Sequence, residues 1–530
     1  MRIAAAQSPQ DLEGVHSMLQ TSGYALALEG GAAFREVVQA LPDDRWHTDP
    51  IICWAMGASF RGPGTPSAHG AIAYFQVAEA IVRALPDVFS NALVEVHTGH
   101  ASALRNLRQL PEARAKIDAA SALIEENPSP ISYLEAVARH ALERGMIEIA
   151  QGEFDAAVED LHRALGAKAH LTAPEELECL GALAVLAYTR SEIELCEQRV
   201  AESEALEVPA EIWNSGFAAP LYTAQLLLCI DQNDVVGARA VERKLTPAAQ
   251  GNHWDPSAKL MSAYICVLVG DPIGALDWLN QLRSVLGPNY HDNFIHGVSE
   301  VLRADILASL GHGDESFTIL SRVPPGERHV ICPARFIAQV RLGHGDLQGA
   351  SDALLDCEEL GDGHSPRSMI AIHLLRGAIE FERGNFAASD LNVDRAFHGL
   401  VRTGIPAPLR HIPDVTLVNI AARALTRPQS AEASRMLQGI VDAADGTGEK
   451  SEALSERERL VLTYVEKELT VAAIAAELYI SPNTVKTHLR RLYRKLGVTT
   501  RQEAIRTARA LGLHHSGPEV TPESPAQQDD

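Results

Sequence analysis

Apolar positions between residues 30 and 440 recur in pairs of helical segments, and each pair is joined by a short polar turn. Within each segment, apolar residues three or four apart predict an amphipathic helix. Eight turns are recognisable, marked by Leu110, Gly152, Ser191, Asn233, Gly270, Gly313, Gly345 and Gly384. The markers lie 32 to 43 residues apart. Gly or Asn at these points allows the positive φ at which helices commonly end, so the pattern predicts successive helical hairpins.

A small residue follows most of these turns, in the pattern apolar-x-x-Ala-x-x-x-apolar. The clearest example begins at Phe154, and Ala275 and Ala350 repeat it. Repeats of this length are typical of stacked hairpins, each of which buries its apolar face only against its neighbours. The region resembles a tetratricopeptide-like array with a degenerate consensus. We therefore predict an all-α solenoid, with an irregular helical bundle as the alternative.

Residues 454–513 predict a separate module of four short helices. Ser455 and Glu458 form a capping box at the start of the first helix. Thr470 is placed to cap the second helix, 471–478. The inward positions of these two helices are Leu460, Val461, Val465, Ile474, Ala475 and Leu478.

The third helix of the module, 482–496, follows a tight turn. Ser481 is a favourable N-cap, and Pro482 takes the first helical position, where its missing N–H is harmless. A second capping box, Thr500 with Glu503, opens the fourth helix, which ends near residue 511. The second and third helices thus form a helix–tight turn–helix.

The third helix has two chemically different faces. At 100° per residue, its buried stripe is Val485, Leu489, Leu492 and Leu496. The opposite face carries Asn483, Lys486, Thr487, Arg490 and Arg494. A helix lying in the major groove needs such a face, because Lys and Arg donate to guanine while Asn and Thr serve adenine or thymine. Flanking positions suited to the same face or to phosphates are Ser481, Thr484, Arg491, Lys495 and Arg501.

The charge distribution supports this interpretation, although the net charge of −23 by itself argues against a nucleic-acid partner. Residues 455–513 carry 11 Lys and Arg against 6 Asp and Glu, so the remainder of the chain carries −28. Residues 481–513 hold 8 basic residues and one acidic residue, Glu503. Most charged helix faces are merely solvated. Here one sign dominates on a helix that follows a tight turn, so DNA binding is favoured.

At this point a family resemblance is clear. Matching segments run in order through Leu454–Glu458, Ile480–Pro482, Thr484–His488, Lys495–Val498 and Arg501–Ala504. Together they resemble the LuxR/GerE-type helix-turn-helix, over about 60 of the 530 residues. The resemblance implies double-stranded promoter DNA as the ligand and assistance to RNA polymerase. It places base contacts at Lys486, Thr487 and Arg490, and a homodimer contact on the fourth helix at Ala504, Ala508 and Leu511.

The long region in front resembles the helical-repeat sensor part of MalT-type large regulators. Members of that group usually begin with an ATPase, but no GxxxxGK[ST] loop occurs in this sequence. The alternating strand and helix pattern of a receiver domain is also missing. We interpret the chain as a shortened member that senses an unknown small molecule or protein.

The sequence evidence for a metal, catalytic or ligand site is weaker. His291, His296, His312, His344 and His364 lie in or near turns without compact ligand spacing, so turn chemistry is favoured over a metal site. There is no Gly-x-Ser-x-Gly elbow, and we expect neither an enzyme nor a cofactor. The tryptophans fill cores or, less favoured, line a ligand groove; these are Trp54, Trp213, Trp254 and Trp278.

The seven cysteines lack CxxC pairs and most lie in apolar helical runs, which indicates buried thiols in a reducing compartment. No apolar signal-peptide region and no run of about 18 apolar residues is found, so we expect a cytoplasmic bacterial protein without a membrane partner.

The predicted organisation is a helical-repeat region 1–440, a flexible linker 441–453, the DNA-binding domain 454–513 and a disordered tail 514–530. The favoured function is sequence-specific transcriptional regulation, with activation as the expected sign. The alternative is a helical-repeat adaptor whose DNA binding is weak or vestigial.

Overall fold

The structure is a computed structural model. It describes residues 12–41, 44–62, 68–84, 90–126, 134–325, 331–355, 357, 364–446, 461–465, 467, 469–478, 485–486, 488–489, 492–493, 500–501 and 504–505. Within these residues the regular secondary structure is helical and no strand is present. The described helices span Leu12–Gln39 (α1), Pro50–Ala58 (α2), His69–Ala84 (α3), Ser90–Asn106 (α4), Leu110–Glu126 (α5), Leu134–Gln151 (α6), Phe154–Gly166 (α7), Ala173–Thr189 (α8), Ile193–Glu204 (α9), Ala219–Asp231 (α10), Val235–Ala249 (α11), Asp255–Leu268 (α12), Pro272–Leu286 (α13), Phe294–Ser309 (α14), Gly313–Leu320 (α15), Pro333–Gly343 (α16), Leu347–Asp352 (α17), Pro366–Glu382 (α18), Phe386–Thr403 (α19), Asp414–Leu425 (α20), Ala431–Gly446 (α21) and Val471–Glu477 (α22). The all-α prediction is confirmed.

Eight helix connections in the described chain have the same type of turn. They join α4 to α5, α6 to α7 and every second pair of helices from there to α18–α19. Each contains a residue with positive φ, at Arg108, Gly152, Ser191, Asn233, Gly270, Gly311, Gly345 and Gly384. The N–H of the next residue donates to the carbonyl five positions before it, at 2.8 to 3.0 Å. The N–H of the positive-φ residue donates to the carbonyl three positions earlier. These two bonds define the Schellman motif, and the following helix begins two residues after the positive φ.

Two predicted turn positions are wrong. Leu110 and Gly313 are the first residues of α5 and α15, and the left-handed residues are Arg108 and Gly311. Proline commonly interrupts helices, so Pro111 suggested a turn. It lies instead in the first turn of α5, where proline is tolerated. With these corrections the turns lie 34 to 44 residues apart.

The small residue predicted after each turn has a fixed place, five positions after the left-handed residue. It is buried in all eight hairpins, at most 1% exposed, as Ala113, Ala157, Cys196, Ala238, Ala275, Ser316, Ala350 and Ser389. A larger side chain there would force the two helices apart, because protein interiors are close-packed. This recurring position confirms the helical-hairpin array.

Three hairpins share a further signal, Asp-x-x-Gly, which the sequence analysis did not recognise. The Asp carboxylate accepts the N–H of the Gly at 2.9 Å, in the pairs Asp234–Gly237, Asp271–Gly274 and Asp346–Gly349. A Cβ on any of these glycines would lie 2.1 to 2.3 Å from an Asp Oδ2 atom. The glycine therefore leaves room for the carboxylate that caps the second helix.

Two compact units are distinguished, Met1–Ile306 with Asp314–Ile420 and Leu307–Gly313 with Ala421–Asp530. At the start of the first unit, α1 and α2 bury an apolar cluster that includes Val15, Phe34, Val38, Ile52 and Met56. In the second unit α21 continues to Gly446, so residues 441–446 of the predicted linker are helical. The predicted tail 514–530 lies outside the described residues.

The cysteines are all free thiols, and six of the seven are buried. Burial, together with the negative charge of Asp49, raises the pKa of the Cys53 thiol to about 11. The prediction of buried thiols is thus confirmed, with half-buried Cys229 as the exception. Among the described helices, none combines the length and apolarity needed to cross a membrane.

Candidate nucleic-acid interface

The C-terminal module is held together by one apolar cluster. Its buried members come from 461–465, from α22 and the residue after it, and from the segment around 485–492; they are Val461, Leu462, Val465, Ile474, Ala475, Leu478, Val485 and Leu492. Leu489 and Tyr493 pack against them. The inward positions predicted from helical periodicity are confirmed, except that Leu460 and Leu496 lie outside the described residues.

The start of α22 follows the predicted capping. The Thr470 hydroxyl accepts the N–H of Ala473 at 3.2 Å, and the Thr470 carbonyl accepts the N–H of Ile474 at 2.9 Å. Ser or Thr at an N-cap contributes about 1 kcal/mol to helix stability. The cap therefore fixes the beginning of the helix that precedes the tight turn.

The third predicted helix shows the expected division between core and surface. Val485 is 0% exposed and sits in the apolar cluster, whereas Lys486, the next residue, is exposed. One helical step of 100° separates these two environments. Of the predicted base-contacting residues, Thr487 and Arg490 lie outside the described residues. The same holds for the other predicted face or phosphate positions Ser481, Asn483, Thr484, Arg491, Arg494 and Lys495.

Arg501 makes contacts that the sequence analysis did not predict. Its guanidinium donates from Nη1 to the carbonyl of Leu469 at 2.7 Å and from Nη2 to the carbonyl of Val465 at 2.8 Å. The last carbonyls of a helix lack partners within it, and Val465 is the last residue of the described helical stretch 461–465. Arg501 therefore joins the start of the fourth helix to the end of the first, besides its predicted place near phosphate.

The neighbourhood of Arg501 includes Tyr493. Burial raises the pKa of the Tyr493 phenol, and the positive charge of Arg501 opposes that rise. The phenol therefore stays protonated near neutral pH. The Lys467 ammonium lies 5.7 Å from the centre of the Tyr464 ring, a cation–π contact.

The dimer contact expected on the fourth helix needs correction at one residue. Ala504 is 0% exposed, so its side chain has no surface to offer a second copy. Its neighbour Ile505 packs on the apolar cluster. The remaining two residues of the expected contact, Ala508 and Leu511, lie outside the described residues.

A cluster outside this module was also not foreseen. Buried Cys332, Cys357 and His364 bring their sulfur and nitrogen atoms within 4.8 Å of one another. The two sulfurs are 3.6 Å apart, within the range of a thiol hydrogen bond. Cys332 lies 25 residues before Cys357, so the sequence spacing did not indicate this arrangement. A structural zinc site takes four ligands, and three donors among the described residues do not assign a metal.

The comparison with known proteins agrees with the geometry of the module. Residues 452–508 match the family described as bacterial regulatory proteins, luxR family. This chain is 54% identical over 55 residues to a probable transcriptional regulatory protein NarL of Mycobacterium tuberculosis, covering 10% of this chain and 26% of that protein. It is 42% identical over 62 residues to the HTH-type transcriptional regulator MalT of Serratia proteamaculans, covering 12% and 7%. The chain thus carries a LuxR-type helix-turn-helix at its C-terminus, and it aligns with about a quarter or less of these relatives.

Solved helical structures resemble this chain only loosely. A Rap protein complexed with competence and sporulation factor has a TM-score of 0.42 and 13% identity, covering 63% of this chain and 93% of that one. The APC/C hetero-tetramer Cut9–Hcn1 has a TM-score of 0.38 and 13% identity, covering 96% and 98%. The repeat architecture is established by the eight identical turns of this chain.

Proposed function

We propose that this chain is a sequence-specific DNA-binding transcriptional regulator, which reads promoter DNA in the major groove with the helix 482–496. The single observation that carries the proposal is the division between Val485 and Lys486, one fully buried and one exposed, within a module that matches the luxR family. The apolar stripe fixes how the helix is rotated. The opposite face is then the one offered to a groove.

Lys486, Thr487 and Arg490 are the proposed base contacts. A Lys ammonium or an Arg guanidinium donates to guanine O6 and N7, and a Thr side chain contacts a thymine methyl or donates a hydrogen bond. The basic residues of the third helix supply positive charge for phosphates. Because the body of the protein is acidic, non-specific attraction to DNA is confined to this module.

The proposal extends to partners and control. The regulator binds as a homodimer and activates transcription through RNA polymerase. The helical array of the first unit receives the signal and controls the reader. Support for this part comes from the names of the similar proteins, both of them transcriptional regulators, and from the arrangement of an array followed by a reader in one chain.

Salt dependence distinguishes this function from that of a protein-binding adaptor. The binding constant of the full-length protein for DNA is measured as the salt concentration rises. Specific binding through several phosphates predicts a log–log slope of about −0.9 per phosphate neutralised, together with preference for one sequence. An adaptor predicts no preferred sequence and a shallow slope.

A further inference from the structure

A cavity of about 440 Å³ lies within the first compact unit. Residues of the first helix of seven successive hairpins line it, namely α6, α8, α10, α12, α14, α16 and α18. Its volume lies in the range typical of small-molecule sites. The cavity is therefore large enough for a ligand and is built by the repeat architecture itself.

Most of the cavity wall is apolar. Its side chains include Met146, Ile149, Phe154, Met261, Phe294 and Val298. Trp254, 4% exposed, also lines it, as the less favoured interpretation of the tryptophans requires. Burying an apolar ligand body against these groups is favourable, at roughly 25 cal/mol for each Å² removed from water.

Two of the arginines that line the cavity have protein partners. Arg367 donates from Nη1 to Asp231 Oδ1 at 2.8 Å and to the Tyr188 hydroxyl at 2.8 Å. Arg410 donates from Nη2 to the carbonyl of Ile230 at 2.8 Å. The charge of Arg367 is thus compensated by Asp231, and the Arg410 guanidinium is held by a backbone carbonyl.

Arg335 differs from both. Among the described residues no carboxylate forms an ion pair with it, and its buried Nε has no hydrogen-bond partner. Its guanidinium carbon lies 4.4 Å from the centre of the Phe336 ring. Burial lowers the pKa of Arg335, opposed by Cys332, Tyr264 and Asp305. Arginine nevertheless remains charged, and removing part of a cation from water without a counter-ion is unfavourable.

The surroundings of Arg335 favour an anion over a neutral polar group. Asp305, which also lines the cavity, accepts a hydrogen bond from Gln339 Nε2 at 3.0 Å, and burial raises the pKa of its carboxyl. Asp305 is therefore a weak counter-ion for Arg335. Arg335 also lies in the first turn of α16, where the helix dipole adds partial positive charge.

We propose that this cavity binds a small molecule with an apolar body and a single anionic group, and that Arg335 binds the anionic group. Such a ligand compensates the charge of Arg335, whose side chain is half-buried with its Nε fully buried, while its body fills the apolar part of the cavity. The role of this molecule as the signal of a regulator rests on the proposed function, in which the helical array controls the DNA-binding module. The binding itself does not require DNA.

A matched pair of fluorescent probes tests the proposal on the full-length protein. 1-Anilinonaphthalene-8-sulfonate carries a sulfonate, and N-phenyl-1-naphthylamine has the same rings without it. We expect the wild type to bind the sulfonate at least about tenfold more tightly, since a charge-assisted hydrogen bond has that strength. The variant Arg335→Met should lose this preference and keep its affinity for the neutral probe. Arg335→Lys should retain part of the preference.

Arg341→Met is the matched control. Arg341 is on the same helix as Arg335 but does not line the cavity, and its Nη1 atom lies 4.0 Å from Asp346 Oδ2. It should leave both affinities unchanged. Met261→Trp, which fills the cavity, should weaken the binding of both probes.

Equal affinity of the wild type for the two probes would overturn the proposal, whatever the stability of the variants. An unchanged preference in Arg335→Met would also overturn it, since the anion would then bind elsewhere. Neither result bears on DNA binding, because the assay contains no DNA.

Discussion

The Nη1 atom of Arg501 donates a hydrogen bond to the carbonyl oxygen of Leu469 at 2.7 Å, across 32 residues of sequence. Together with the bond to Val465, it ties the fourth helix of the DNA-binding module to the end of the first. The third helix lies between these segments in sequence and shares their apolar cluster. Arg501 thus contributes to holding the module that presents Lys486.

Replacing Arg501 by Ala should destabilise this module. Two backbone carbonyls would lose charge-assisted donors, which predicts a loss of about 2–4 kcal/mol of local opening free energy. Hydrogen exchange of the α22 amides in the full-length protein measures it. Lys486→Ala is the control and should leave the exchange unchanged, because Lys486 is exposed. Unchanged exchange in Arg501→Ala would mean that the two hydrogen bonds of Arg501 do not stabilise the module, and would leave Arg501 only its predicted contact with phosphate.

Replacing Lys486 by Ala should weaken DNA binding by about 1–3 kcal/mol and relax specificity at one base pair. Fluorescence anisotropy with a bound site and its single base-pair variants measures both effects. Lys467→Ala removes an exposed lysine of the same module that lies over Tyr464. It should change affinity only slightly and should not alter sequence preference. If Lys486→Ala behaves like Lys467→Ala, the predicted groove face is wrong.

Gly181→Ala should destabilise the array. A Cβ there would lie 2.6 Å from the backbone nitrogen of Leu221, so α8 and α10 would have to separate. Overpacking of this kind costs about 1–3 kcal/mol. Gly439→Ala is the matched control in α21, where a Cβ meets nothing within 4 Å, and should stabilise its helix by about 0.5–1 kcal/mol. Hydrogen exchange of the α8 and α21 amides measures both stability changes. Equal changes for Gly181→Ala and Gly439→Ala would contradict the packing argument.

The stability of the hairpin α6–α7 should depend on the protonation of Glu148. Burial and the negative charge of Asp160 raise the pKa of its carboxyl to about 7, while Arg144 opposes the rise. The folded state therefore binds a proton that the unfolded state has already released. This stabilisation is complete below about pH 4.3 and is lost as the pH rises through about 7.

The variant Glu148→Gln, which mimics the protonated carboxyl, isolates that dependence. Between about pH 5.5 and about pH 8, the wild type should lose more α6 hydrogen-exchange protection than Glu148→Gln. The difference between the two proteins removes the contribution of other titrating groups. Identical pH dependence in both would mean that Glu148 is ionised throughout this range.

The repeat and the module could be predicted because both depend on local rules. Six of the eight left-handed turn residues were placed correctly; five of them are Gly or Asn, which tolerate positive φ, and the sixth is Ser191. At Arg108 the backbone adopts positive φ without either residue type, which local preference does not reveal. At 311–313 two glycines were available, and the sequence offered no reason to prefer Gly311.

The cavity and its charges could not be predicted from sequence. Arg367 and Asp231 are 136 residues apart, and only the stacking of hairpins brings them together. The same is true of Arg335 and Tyr264, which lie on different hairpins. Arg501 was assigned to phosphate because a basic residue beyond a recognition helix has that typical role. Its contacts with Leu469 and Val465 depend on how the four helices fold back on one another.

The central claim is that the exposed face of helix 482–496 reads bases. The most direct test incubates the full-length protein with sheared DNA of its own host and sequences what is retained, with a Lys486→Ala/Arg490→Ala double variant in parallel. We predict that the wild type enriches a few promoters sharing a short inverted motif and that the double variant does not. Equal recovery of DNA by both proteins without a common motif would contradict the claim.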